Sequence, residues 1–105
     1  MTGFRGKDGS GRVVEDLTPA SLRTLLHETQ DFVVVENPAW GSQHFAQAVR
    51  VGDTGAWRAE VRGGGCDRNL GTNAPNLDAV YDILRSWAAG DGWWQEAFTW
   101  TTVRT

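Results

Sequence analysis

The stretch Gly52-Asp53-Thr54-Gly55-Ala56-Trp57-Arg58-Ala59-Glu60-Val61-Arg62 decides the fold. Trp57, Ala59 and Val61 alternate with Arg58, Glu60 and Arg62. A period of two places the first set on one face of a strand and the charged set on the other. This is the pattern of an antiparallel strand with one face on a core and one toward water. The two glycines before it supply the positive φ of a tight turn, so a second strand should pair with it from the N-terminal side.

That partner is read as Gln43–Val51. Its alternation puts Phe45, Gln47, Val49 and Val51 on one face and His44, Ala46, Ala48 and Arg50 on the other. Because Phe45 is the bulkiest apolar residue, its face is assigned to the core, and His44 and Arg50 join Arg58, Glu60 and Arg62 on the open face. Further upstream, Phe32-Val33-Val34-Val35 reads as a central strand, its β-branched residues stiff at χ1. Asn37-Pro38 ends it.

Two helices flank these strands. Thr18 is a good N-cap, Pro19 suits the first helical position, and Leu17 and Leu22 fit a hydrophobic staple. Leu22, Leu25 and Leu26 share a stripe, so a helix is expected from about 19 to 29. The second helix is expected over Leu77–Ala89. Asn76 caps it, Asp78 complements its positive end and Gly90 suits its C′ position. The segment 63–76 reads as irregular, and Glu96–Val103 as a last strand. The expected fold is α+β: a four-stranded, mainly antiparallel sheet with two helices packed on one face, in the order α-β-β-β-α-β. The glycine-rich residues 1–11 read as a flexible tail before a single domain spanning 12–105. The run Arg12-Val13-Val14-Glu15 reads as an edge strand, and it or Glu96–Val103 offers a route to a homodimer.

Composition narrows the function. The chain has 105 residues, 10 Lys+Arg and 13 Asp+Glu, for a formal net charge of −3. This lacks the electrostatic footprint of a general nucleic-acid binder. A single cysteine, Cys66, makes no internal disulfide, and a reducing cytoplasm suits such a chain. No apolar run reaches the length of a membrane span, and the N-terminus has no secretory h-region. His27, His44 and Cys66 are too few and too scattered for a zinc site, so neither metal nor cofactor is expected. Cys66 follows three glycines, but the phosphate-binding Gly-x-x-x-x-Gly-Lys pattern is absent.

Six tryptophans are the anomaly. Trp57 and Trp87 fall at periodic core positions, and Trp100 joins them or lies on the open sheet face. Trp40, Trp93 and Trp94 fall at loops and element ends, where periodicity does not account for them. Tryptophan is enriched at binding hot spots, so these three are the expected anchors for a partner. His44, Arg50, Arg58, Glu60 and Arg62 complete the expected partner-binding set, with arginine supplying a planar fork for carboxylates.

The run Trp57–Gly63, the helix Ala79–Gly90 and Phe98-Thr99-Trp100 resemble small actinobacterial proteins of this length. The order of strand, helix and tryptophan-bearing strand is similar to the Imm1-type immunity proteins of polymorphic toxin systems, over roughly half the chain. The resemblance implies a small acidic cytoplasmic protein that neutralises a cognate toxin domain by occlusion, without enzyme activity. It carries over no catalytic residue. The alternative reading is a small-molecule or peptide binding module with a tryptophan-lined pocket.

Overall fold

The structure is a computed structural model and describes residues 1–64 and 69–103. It is built on a seven-stranded antiparallel sheet, not the expected four-stranded one. The elements run β1 (Arg5–Asp8), β2 (Val13–Val14), α1 (Pro19–Glu28), β3 (Phe32–Glu36), β4 (His44–Arg50), β5 (Trp57–Gly63), β6 (Asn69–Ala74), α2 (Leu77–Ala89), α3 (Trp93–Ala97) and β7 (Thr101–Thr102). The strand order is β2-β1-β3-β4-β5-β6-β7. A short 3₁₀ turn at Pro38–Trp40 follows β3.

Three expectations are corrected. The glycine-rich tail contains β1, which pairs with both β2 and β3. Gly6 is what allows this. A Cβ there would come within 2.8 Å of the Leu25 side chain, so glycine lets the strand pass beneath α1 without displacing that leucine. The segment 63–76 contains β6, which pairs with β5 from Trp57↔Ala74 to Arg62↔Asn69. Finally, Glu96–Val103 is not one strand. Its start belongs to α3, and only Thr101–Thr102 pairs with β6.

The helices form where their caps specify. The Thr18 hydroxyl accepts from the Ser21 amide while the Ser21 hydroxyl accepts from the Thr18 amide, closing a capping box with serine in the glutamate position. Asn76 caps α2 through the Ala79 amide, and Gly90 ends it at φ 70°. α3 begins against the end of α2. The Trp93 amide donates to Asp91 Oδ1 and the Trp94 amide to Ser86 Oγ, satisfying two donors that a helix start leaves orphaned.

Both long helices cover the same sheet face. The core gathers Leu22, Leu25 and Leu26 of α1, Val80, Ile83, Leu84 and Trp87 of α2, and Val33, Val35, Ala46, Ala48, Trp57, Ala59 and Val61 of the sheet. The expected register of β4 is therefore reversed. Ala46 and Ala48 face the helices, paired with Val35 and Val33 on one side and Val61 and Ala59 on the other. Phe45, Gln47 and Val49 lie on the open face. The cause is steric: α2 packs on β4 and β5, and alanine's small side chain gives the helix room that phenylalanine would fill. Trp57 and the three leucines are at most 1 % exposed. Each such burial contributes roughly 1.5–3 kcal/mol.

Candidate functional site

The eight expected binding residues do not form one surface. Trp94 is 8 % exposed and packs edge-on against Trp100, with ring centroids 5.0 Å apart. The Trp100 indole also donates to the Trp94 carbonyl at 2.7 Å. A docking anchor must be accessible, so Trp94 is a core residue and not an anchor. Adjacent extended residues would splay to opposite faces. The helical turn of α3 instead turns Trp94 inward and leaves Trp93 44 % exposed.

Arg50 is also a structural residue. At its register position opposite Trp57 it lies on the helix side of the sheet. Its guanidinium sits 4.6 Å from the Trp57 ring centroid. Its Nε donates to the Thr29 carbonyl at 2.7 Å, and Nη2 reaches the Leu26 and His27 carbonyls at 3.4 Å. A cation at the C-terminal end of α1 meets the negative pole of that helix. His44 shares the helix-side parity and lies beside Gly64. Neither residue joins Arg58, Glu60 and Arg62 as expected, because the β4 register is reversed. Cys66, considered above with His27 and His44 for a zinc site, lies outside the described residues.

Arg58, Glu60 and Arg62 do occupy the open sheet face, within a polar lattice. Gln47 donates to Glu60 at 3.0 Å, Arg62 donates to Asn69 at 2.8 Å and to Gln43 at 2.9 Å, and Arg58 lies 3.8 Å from Glu60. The Arg62 guanidinium is 5.3 Å from the Phe45 ring centroid. Gly71 makes room for Arg58, since a Cβ there would come within 2.5 Å of its guanidinium. At the other side of this face, Glu36 accepts from Arg5 at 2.7 Å and lies 2.8 Å from the Lys7 ammonium. The Lys7 and Arg5 hydrogen bonds together hold its carboxyl below the usual range, against the opposing effect of burial.

Charge is divided between the two sides of the molecule. On the open sheet face, Arg5, Lys7, Arg58 and Arg62 stand against Glu15, Glu36 and Glu60, a balance of plus one. The other described residues set four cations against nine carboxylates, a balance of minus five. The acidic excess therefore lies away from the open sheet face, on the helices, on the loops and turns, and at the end of β1.

Two exposed tryptophans lie on that acidic side. Trp40, 44 % exposed, packs edge-on against Phe4 and Trp87 with centroids 5.1 and 5.6 Å apart. Trp93 packs edge-on against Phe98 at 6.1 Å. Trp93 also walls a cavity of about 310 Å³ with Asp82, Arg85, Ser86, Ala89 and Asp91. The expectation of a pocket walled by at least two tryptophans is not met there. Asp91 is held by the buried Ser86 hydroxyl and by the Trp93 amide, and these bonds lower its pKa in that order. Sequence reading missed this cavity because Asp82, Ser86 and Asp91 read as ordinary helix and turn residues. Only the fold of α3 back onto α2 sets Trp93 beside them.

Among the described residues, no cluster of three or more metal-ligating side chains occurs, and no helix is long and apolar enough to cross a membrane. Comparison of the chain with protein-family models, with curated proteins and with solved structures returned no match.

Proposed function

We propose that this chain is a small, non-catalytic, cytoplasmic binding protein of the immunity or inhibitor type, which neutralises a basic protein partner by occlusion. The observation that carries this reading is the charge division: an excess of five carboxylates away from the open sheet face, where Trp93 and Trp40 stand exposed. An acidic surface speeds encounter with a basic domain, and rigid aromatic rings supply the anchoring area. Both tryptophans are braced edge-on by neighbouring aromatics, so little side-chain freedom is lost on docking.

A second reading has its own support. The lattice around Arg58, Glu60 and Arg62 holds its forks in place before any partner arrives, and the net positive charge of that face suits an acidic protein surface. Co-expression with the product of the flanking gene separates the two. The leading reading expects a complex that weakens steeply with salt, is lost in D82K/E96K and is kept in R58E/R62E. A complex lost only in the sheet-face variant transfers the role to the second reading. Absence of any complex with a flanking product overturns both.

A further inference from the structure

We propose that the cavity between α2 and α3 is a recognition site for an organic cation, of the guanidinium or alkylammonium class. Four independent features converge there. Trp93 walls the cavity and is 44 % exposed, and indole is the strongest π partner for a cation. Asp91 is fixed in place through Oδ1 alone. Oδ2 makes no hydrogen bond among the described residues and is left for a ligand. The last turn of α2 carries no basic residue, so the negative pole of that helix is uncompensated beside Ala89 and Asp91. The cavity itself, about 310 Å³, accepts a side-chain head with its alkyl stem.

The other charges around the site do not reverse its sign. Arg85 is the one cation in the lining: its guanidinium lies 3.5 Å from Asp82 and 5.7 Å from the Tyr81 ring centroid, and its charge acts on Asp91 more weakly than the Ser86 and Trp93 hydrogen bonds do. Asp82 and Asp91 against Arg85 leave one net negative charge in the wall. Glu96, in the first turn of α3, adds to the acidic surroundings. The site stays charged in mildly acidic solution, because the Ser86 hydroxyl and the Trp93 amide hold Asp91 below the usual carboxylate range.

On the binding reading above, the cation is an arginine or lysine side chain of the basic partner. The inference rests on that reading only for the source of the cation, and its test needs no partner. The folded chain is titrated with n-butylguanidinium chloride, followed by the amide and indole N–H resonances, with sodium chloride at matched concentration as the blank. Saturable shifts are expected at the Trp93 indole and at the amides of Ala89 and Asp91. Affinity should fall roughly fivefold in D91N, which removes one charge at contact distance but keeps the Oδ1 acceptor that starts α3. W93F should bind more weakly than the parent, and W40F should bind equally well. Tetramethylammonium, which has no alkyl stem, distinguishes the sources: weaker binding than butylguanidinium indicates a partner's side chain, and tighter binding indicates a free quaternary ligand. Shifts that stay linear and match the sodium chloride blank overturn the proposal, as does full affinity in D91N. A silent cavity beside an intact partner complex sinks this inference alone. Cation binding without any complex leaves the cavity standing and removes the occlusion reading.

Discussion

Replacing Arg50 by alanine removes one side chain that serves three purposes at once. The structure gives each a size. The charged hydrogen bond to the Thr29 carbonyl, at 2.7 Å, falls in a class worth about 1.5–3 kcal/mol. Stacking on Trp57, a ring 1 % exposed, contributes about 1–2 kcal/mol where the cation is partly desolvated. The cation's interaction with the C-terminal end of α1 adds about 0.5 kcal/mol. The three share one guanidinium and do not add independently, so the expected loss is about 3 kcal/mol. For a domain of this size that lowers Tm by roughly 10–20 °C. Urea unfolding followed by circular dichroism measures it, with an unchanged m-value showing that the unfolded reference has not moved. R50K keeps the charge but not the planar fork, and should recover about half of the loss. An R50A variant within about 0.5 kcal/mol of the parent refutes this account. So does one that loses partner affinity at full stability, which would return Arg50 to the binding surface.

Other substitutions probe the division of the tryptophans and the sheet face. W94A opens the core beside Trp100 and should cost about 3–5 kcal/mol by thermal unfolding, whereas W93A should stay within about 1 kcal/mol. G71A places a methyl group 2.5 Å from the Arg58 guanidinium and 2.7 Å from Val103, and should destabilise by about 1–3 kcal/mol through displacement of both. Glu36 has a folded-state pKa held below its ordinary value by Lys7 and Arg5. Its stabilising contribution is therefore present above the ordinary carboxylate pKa and is lost as pH falls through the depressed one. E36Q should be less stable than the parent near neutrality and converge on it in acid, by chemical denaturation across the pH range. A constant gap between the two would contradict the assignment.

The two long helices were legible because their signals are local; the short α3 was not. Thr18-Pro19 and Asn76 with Gly90 mark the ends of α1 and α2 within one residue, and no distant contact is needed to read them. The alternation of Trp57 through Arg62 was legible for the same reason. What the sequence concealed depends on partners far along the chain. β1 lies among glycines, which carry no strand signal. It exists because Gly6 fits beneath Leu25 and Leu17, side chains 19 and 11 positions away. β6 is mostly polar, and its Thr72 hydroxyl is satisfied by the Thr99 carbonyl, a bond visible only after folding. In β4, hydrophobicity pointed Phe45 inward, but helix packing favoured Ala46 and Ala48, and the site assignment of His44 and Arg50 failed with it. Trp93 was singled out as unexplained by periodicity. Its companions Asp82, Ser86 and Asp91 were not, because their meeting depends on the turn at Gly92.

The sheet ends in a two-residue strand at each side, β2 and β7. A passing strand, from another copy or from a partially unfolded neighbour, finds only two residues of β2 or β7 at either border, stepping to short stretches of β1 and β6 beside them. Two or three added hydrogen bonds, each worth about 1 kcal/mol net, do not offset the roughly 1–2 kcal/mol per residue that ordering the incoming chain costs. Open-ended growth by strand addition is therefore uphill from both sides. Seven strands with one uncovered face would otherwise be a template for fibrils. The short borders therefore act against edge-to-edge association while the open sheet face stays uncovered.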